Sequence, residues 1–159
     1  MLDAAVNAAS ITVESLRRSE IFGDLSDADL AAIAEFCCEE TYREGDTVLA
    51  EDAPAEALFI VERGKLALEK KIQIGRHSTP RNATIGYVGP GRVAGFSALS
   101  APHVFATSAV CVEPTRAIRV AGPALRAYLE THPAAGLKVM NTLAALIGDR
   151  YRHATDTLT

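Results

Sequence analysis

Residues 42–68 read YREGDTVLAEDAPAEALFIVERGKLAL. A Gly-Asp turn leads into the apolar run of DTVLAE, an acidic turn follows at Glu51 and Asp52, and EALFIVERG ends on a glycine before KLAL begins. Short runs rich in Val, Ile, Leu and Thr, separated by Gly, Pro and Asp at this spacing, predict the strands of a sandwich or barrel. The pattern continues toward Val120 through KLALEKKIQI, NATIGYV, RVAGF, ATSAVCVE and RAIRV. Residues 42–120 therefore read as all-β.

Helical periodicity flanks this middle on both sides. The segment up to Ser19 is Ala-rich and loosely amphipathic, with Val6, Ile11, Val13 and Leu16 as its apolar contacts. LSDADLAAIAEFCCEE predicts a helix, because Ser26 can cap it, Asp29 sits where a capping box places an acid, and Leu30, Ile33 and Cys37 share one face. After Gly122, PALRAYLETH predicts a short helix and PAAGLKVMNTLAALIGDRYRHATD a long one, with Pro133 at a favoured first-turn position. The fold class expected is mainly β with flanking helices, a β-roll or double-stranded jelly roll bearing N-terminal helices and a long C-terminal helix.

The long helix carries more apolar surface than one neighbour needs. Leu137, Met140, Ala144, Ile147 and Tyr151 recur at intervals of three and four, and Val139, Leu143 and Leu146 widen the stripe. Such a stripe can serve its own domain on one side and a second copy on the other. Leu137, Met140, Leu143, Ile147 and Tyr151 are accordingly the candidate contacts of a homodimer. The organisation expected is an N-terminal helical segment over 1–19 and one domain over 20–159, whose dimerisation helix covers about 133–153.

Composition narrows the function. At 159 residues and 48% hydrophobic, the chain can bury one ordinary core. A net charge of −4 provides no basic field to draw it onto nucleic acid or an anionic membrane. The three cysteines, two of them adjacent at Cys37 and Cys38, suit neither a disulfide framework nor a spaced zinc site. No leader-like N-terminus and no apolar run approaching the roughly 20 residues of a membrane span is present, so a soluble cytoplasmic protein is expected. No pair among His77, His103, His132 and His153 has the H-x-H spacing of a β-scaffold metal enzyme, and no nucleophile, base and orienting group come together. The expectation is a non-enzyme with no metal and no cofactor.

Three stretches together resemble the cyclic-nucleotide-binding domain, the sensor half of catabolite-activator and fumarate-nitrate regulators and of kinase and channel regulatory modules. They are IFGDLSDADLAAIAEF, YREGDTVLAEDAPAEALFIVERGKLAL over 42–68, and IGYVGPGRVAGFSALS continued by VEPTRAIRV. The resemblance covers most of residues 20–150 and implies a regulatory module that acts by repositioning its C-terminal helix. It also implies a phosphate cassette of roughly F-G-E-L-A-L, followed a few residues on by P-R-x-A. In that cassette a short helix directs backbone N–H groups at the cyclic phosphate, an Arg neutralises it, and a Glu holds the ribose 2′-hydroxyl.

Here AGFSALS occupies the cassette, so Gly95 matches its glycine, Phe96 falls at the acid, and Ser97, Ala98 and Leu99 follow. Phe105 falls at the arginine, with Ala106 and Thr107 after it; Val104 and Ala106 are also uncharged. Losing the charge-assisted phosphate contact costs about 2–5 kcal/mol and losing the ribose contact about 1–3 kcal/mol. At about tenfold per 1.4 kcal/mol, micromolar binding would fall to millimolar or weaker. The candidate ligand site is Gly95, Phe96, Ser97, Ala98, Phe105, Ala106 and Thr107, with Arg92 or His103 as helping cations.

Two readings of the phenylalanines remain open. They fill the old cavity, leaving a ligandless dimerising scaffold or protein-interaction module. Alternatively they line a pocket for an apolar or aromatic ligand with one polar end, or for a weakly held cyclic nucleotide, so that a small-molecule effector or a protein is the partner. The loop GRHSTPR, with Arg76, His77 and Arg81, reads as a solvated hairpin tip, and a haem role for His103 or Cys111 is disfavoured. The family's transcription factors continue into a helix-turn-helix; the sequence here stops at RYRHATDTLT, so no direct DNA binding is expected of it.

Overall fold

The computed structural model describes residues 11–76 and 79–158. Two helices lead in, α1 (Val13–Arg17) and α2 (Asp27–Ala34). Eight strands follow: β1 (Cys37–Tyr42), β2 (Thr47–Leu49), β3 (Ala57–Arg63), β4 (Leu66–Ile72), β5 (Arg81–Val88), β6 (Val93–Ala94), β7 (Ser108–Cys111) and β8 (Thr115–Ala121). A 3-10 turn at Phe96–Ala98 interrupts them, and helices α3 (Gly122–Thr131) and α4 (Pro133–Leu158) close the chain. The strands form two four-stranded antiparallel sheets, ordered β1-β8-β3-β6 and β2-β7-β4-β5. This is the jelly roll with flanking helices that the strand spacing predicts.

Local chemistry accounts for the starts and turns. Ser26 caps α2 by accepting the Asp29 backbone N–H at 3.1 Å, and Thr12 does the same for α1 with Ser15. Gly64, in the ERG turn between β3 and β4, has φ +103°, and a Cβ there would lie 2.4 Å from Thr115 Oγ1. Both the backbone angle and the close approach of Thr115 require glycine.

One element differs from its sequence reading. The helix expected through 25–40 ends at Ala34, and Cys37–Tyr42 instead pairs with β8 from Cys37↔Val120 to Tyr42↔Thr115. The ladder to β8 outweighs the local helical pattern, since strand formation depends on the neighbour supplied. Glu39 and Glu40 then face Arg116 and Arg119 across the pair at 3.8 and 3.9 Å. Cys37 is buried all the same, in the core that holds Leu30 and Ile33.

That core is continuous. Ile11 and Leu16 from the N-terminal segment, Phe22, Leu25, Leu30 and Ile33 around α2, and Leu58, Ile60, Val61, Leu66 and Ile118 from the roll all belong to it. Leu125, Leu129, Ala135, Val139 and Leu143 bring α3 and α4 onto the same cluster. Val6 lies outside the described residues. No helix among the described residues is long and apolar enough to cross a membrane.

Candidate functional site

A cavity of about 620 Å³ lies between the β2-β7-β4-β5 sheet, the 3-10 turn and the C-terminal half of α4. Leu49, Leu68 and Ile85 to Tyr87 come from the sheet, Arg92, Gly95, Phe96, Ser97 and Ser100 from around the turn, and Phe105 to Thr107 from the approach to β7. The α4 side is made by Ile147, Asp149, Arg150, Tyr151, His153 and Ala154. Six of the seven cassette residues expected from the sequence thus meet around one space. The seventh, Ala98, is fully buried behind it.

The turn is built to stay put. Gly95 enters it at φ +91°, and a Cβ there would sit 3.2 Å from both the Ala57 carbonyl oxygen and the Phe105 ring. Arg126 from α3 donates to the Ala98 carbonyl at 2.5 Å. On the facing side, Lys70 donates to Glu51 at 2.9 Å and to the Ala106 carbonyl at 3.0 Å, while the Lys71 backbone N–H donates to Glu51. Those two contacts, the Lys71 N–H first, hold the Glu51 carboxyl below its usual range.

The two phenylalanines have different fates. Phe105 is 7% exposed and packs in the core, with its backbone N–H donating to Ala53 O and its carbonyl accepting from Asp52. Phe96 is only partly buried and lines the cavity. Over its ring, 4.2 Å from the centroid, lies the guanidinium of Arg150. At this distance the cation is attracted to the negative face of the ring.

Arg150 is the residue that sequence reasoning missed. Its Nη2 donates to the Val93 carbonyl and, at 3.2 Å, to Glu20 Oε2, and its side chain is 22% exposed. Glu20 Oε2 also accepts the Val93 backbone N–H at 2.6 Å, and Oε1 faces Arg92 Nε at 3.6 Å. Burial lowers the Arg150 pKa; Glu20 opposes that shift, and Arg92 adds to it. A signal was present: Arg150 follows Leu143 by seven residues, two turns on, and so lies on the inward stripe of α4. Arg92, named from the sequence as a helping cation, lines the cavity, whereas His103 is not among its lining residues. His77 lies outside the described residues.

The candidate dimer contacts divide. Leu137, Met140, Ile147 and Tyr151 are exposed on α4, and Ala144 between them is exposed too. Leu143 is 2% exposed and packs with Val139 in the chain's own core. It is therefore not available to a second copy. The reason is the helical period: 139 and 143 share the inward face, while 137, 140, 144, 147 and 151 follow an outward seam.

The chain is 25% identical over 131 residues to the CRP-like cAMP-activated global transcriptional regulator of Mycobacterium tuberculosis, a match covering 82% of this chain and 56% of that protein. It is 26% identical over 139 residues to Glutaminase 2 of Bradyrhizobium diazoefficiens, covering 85% of this chain but 20% of the enzyme. This chain therefore spans about half of the first relative's length and a fifth of the second's. Its fold is similar to a crystal structure of a cyclic nucleotide-binding domain from Methylobacillus flagellatus KT, with TM-score 0.75, 23% identity, and 97% and 84% of the two chains covered. The cyclic nucleotide-binding domain family matches residues 39–132, more than half of the chain. With the two-sheet roll, the flanking helices and the cassette turn in place, the chain belongs to that family.

Proposed function

We propose that this chain is a non-enzymatic regulatory module of the cyclic-nucleotide-binding fold that takes a small-molecule effector without the family's usual acid and arginine. The observation carrying this reading is that Phe96 and Phe105 stand at those two positions while a cavity of about 620 Å³ remains beside them. Phe105 fills part of the space, which favours a ligandless scaffold; the remaining volume, in the range of small-molecule sites, favours a sensor. Its cytosolic action, and a protein partner downstream, belong to the same reading.

The module dimerises through the outward seam of α4. Leu137, Met140, Ala144, Ile147 and Tyr151 repeat at three and four, the spacing of a two-stranded coiled coil, and their exposure leaves the seam open to a second copy. Ile147 and Tyr151 also line the cavity, so a change at the ligand reaches the seam directly.

Calorimetric titration with cyclic AMP and cyclic GMP, carried to millimolar ligand, tests the ligand claim. No saturable heat in the micromolar range is expected. Saturable micromolar binding would mean that the cassette functions without its acid and arginine, and would overturn the reading.

A further inference from the structure

The wall of the cavity holds more positive charge than its nearby carboxylate balances. Arg92 and Arg150 share one acidic partner, Glu20, at 3.6 and 3.2 Å. Asp149, the acid that the lining itself contains, is paired with Arg152 on the exposed side of α4. One positive charge in the Arg92, Arg150 and Glu20 cluster is left without a carboxylate. Because Arg150 and Glu20 are both largely out of water, at 22% and 17% exposure, that charge is poorly screened. An anion entering the cavity would complete it.

The rest of the lining describes the body of such a ligand. Leu49, Leu68, Ile85, Tyr87, Phe96 and Ile147 are apolar or aromatic. Phe96 lines the cavity with Arg150 over its ring, so an aromatic side chain and a cation stand together on one wall. Resting on the reading of this cavity as an effector site, we infer that its ligand is an organic anion with an apolar body, a phosphate ester or a carboxylate, whose charge is held by Arg150 from α4 rather than by the cassette.

If Arg150 turns from Glu20 to the ligand, Glu20 keeps the Val93 N–H at 2.6 Å and Arg92. Glu20 is itself tied into the roll, since its backbone N–H donates to the Gly91 carbonyl at 2.8 Å. The Glu20 to Arg150 contact is thus a tether between α4 and the stretch joining α1 to α2, and anion uptake exchanges that tether for the ligand. In the empty protein Glu20 competes with the ligand for the guanidinium.

Two dyes of nearly the same shape test this on the full chain: the anion 8-anilinonaphthalene-1-sulfonate and its uncharged parent N-phenyl-1-naphthylamine. Fluorescence titration is expected to show tighter binding of the anion. Arg150→Gln weakens the anion about tenfold or more, as expected for loss of a charge-assisted contact, and leaves the neutral dye unchanged. Glu20→Gln, which keeps an acceptor for the Val93 N–H but removes the competing charge, tightens the anion several-fold. These opposite signs exclude a general loss of folding, which would move both dyes in both variants.

An anion titration that Arg150→Gln does not alter, or that Glu20→Gln weakens as much as Arg150→Gln does, overturns the assignment while leaving the cavity a ligand site. Failure of both dyes to bind the wild type overturns the assignment and the effector reading together. Competition sorts the source of the anion: displacement of the dye by phenyl phosphate supports a phosphate ester, and displacement by benzoate supports a carboxylate.

Discussion

Arg150 lies over Phe96, its guanidinium 4.2 Å from the ring centroid, so that the position where the family resemblance calls for a ribose-binding acid carries instead a cation brought from α4. This couples the cassette turn to the long helix without any ligand. Val93, at the start of β6, and Glu20, ahead of α2, anchor the same guanidinium. The end of α4 is thus fastened to the roll at the point where an effector would sit.

Phe105→Arg, made together with Phe96→Glu, restores the charged pair that the family cassette carries. Calorimetry is expected to show cyclic AMP binding rise into the micromolar range. Because Phe105 belongs to the core, the variant loses about 2–4 kcal/mol of stability, read from urea denaturation. Nucleotide binding unchanged from wild type would show that position 105 does not face the phosphate.

Leu137→Glu with Met140→Glu places charge on the exposed seam of α4. Sedimentation is expected to show a dimer for the wild type and a monomer with an unchanged circular dichroism spectrum for the variant. Leu143→Ala acts differently: it empties a core position and costs about 2–5 kcal/mol of folding stability. A variant of the seam that remains dimeric would remove α4 as the interface.

Gly64→Ala and Gly45→Ala separate two effects. Both glycines have positive φ, but a Cβ at Gly45 meets nothing within 4 Å, whereas at Gly64 it meets Thr115 and the Pro114 carbonyl. Gly45→Ala is expected to cost about 1–2 kcal/mol for the backbone conformation alone. Gly64→Ala costs more, since Thr115 and the chain at Pro114 must shift. Equal losses in thermal melts would refute the close-approach argument.

Glu62 lies beside Glu39 and Arg116 on the outer face of the β1-β8-β3-β6 sheet, with Arg116 Nε 3.9 Å away. Burial first, and then the Glu39 carboxyl, raise the Glu62 pKa. A carboxyl raised on folding favours the native state at pH below its unfolded value, and that contribution is lost as pH rises through the folded value. Glu62→Gln is therefore expected to be more stable than wild type at neutral pH, with the difference disappearing in acid. Denaturant midpoints for both proteins at pH 4 and pH 7 check the sign; a gap that widens in acid is the contrary result.

The sequence by itself determined the strand sequence from Thr47 to Ala121, the Ser26 cap, the two closing helices and the cassette turn at Gly95, because each depends on neighbours within a few residues. Period, turn chemistry and capping are local, and they were legible as such. Cys37–Tyr42 was not, since its strand character comes from β8, nearly eighty residues away in the chain. The orientations of Phe96 and Phe105 were equally out of reach: both are apolar residues beside the cavity, and only packing buries Phe105 in the core behind its wall face while leaving Phe96 partly open. The same holds for the division of α4, where helical period offered one broad stripe and the core claimed Val139 and Leu143. Tertiary structure alone placed Arg150 and Glu20, 130 residues apart, on one hydrogen bond at the edge of the cavity. No local rule brings those two charges together; the closure of α4 over the roll does.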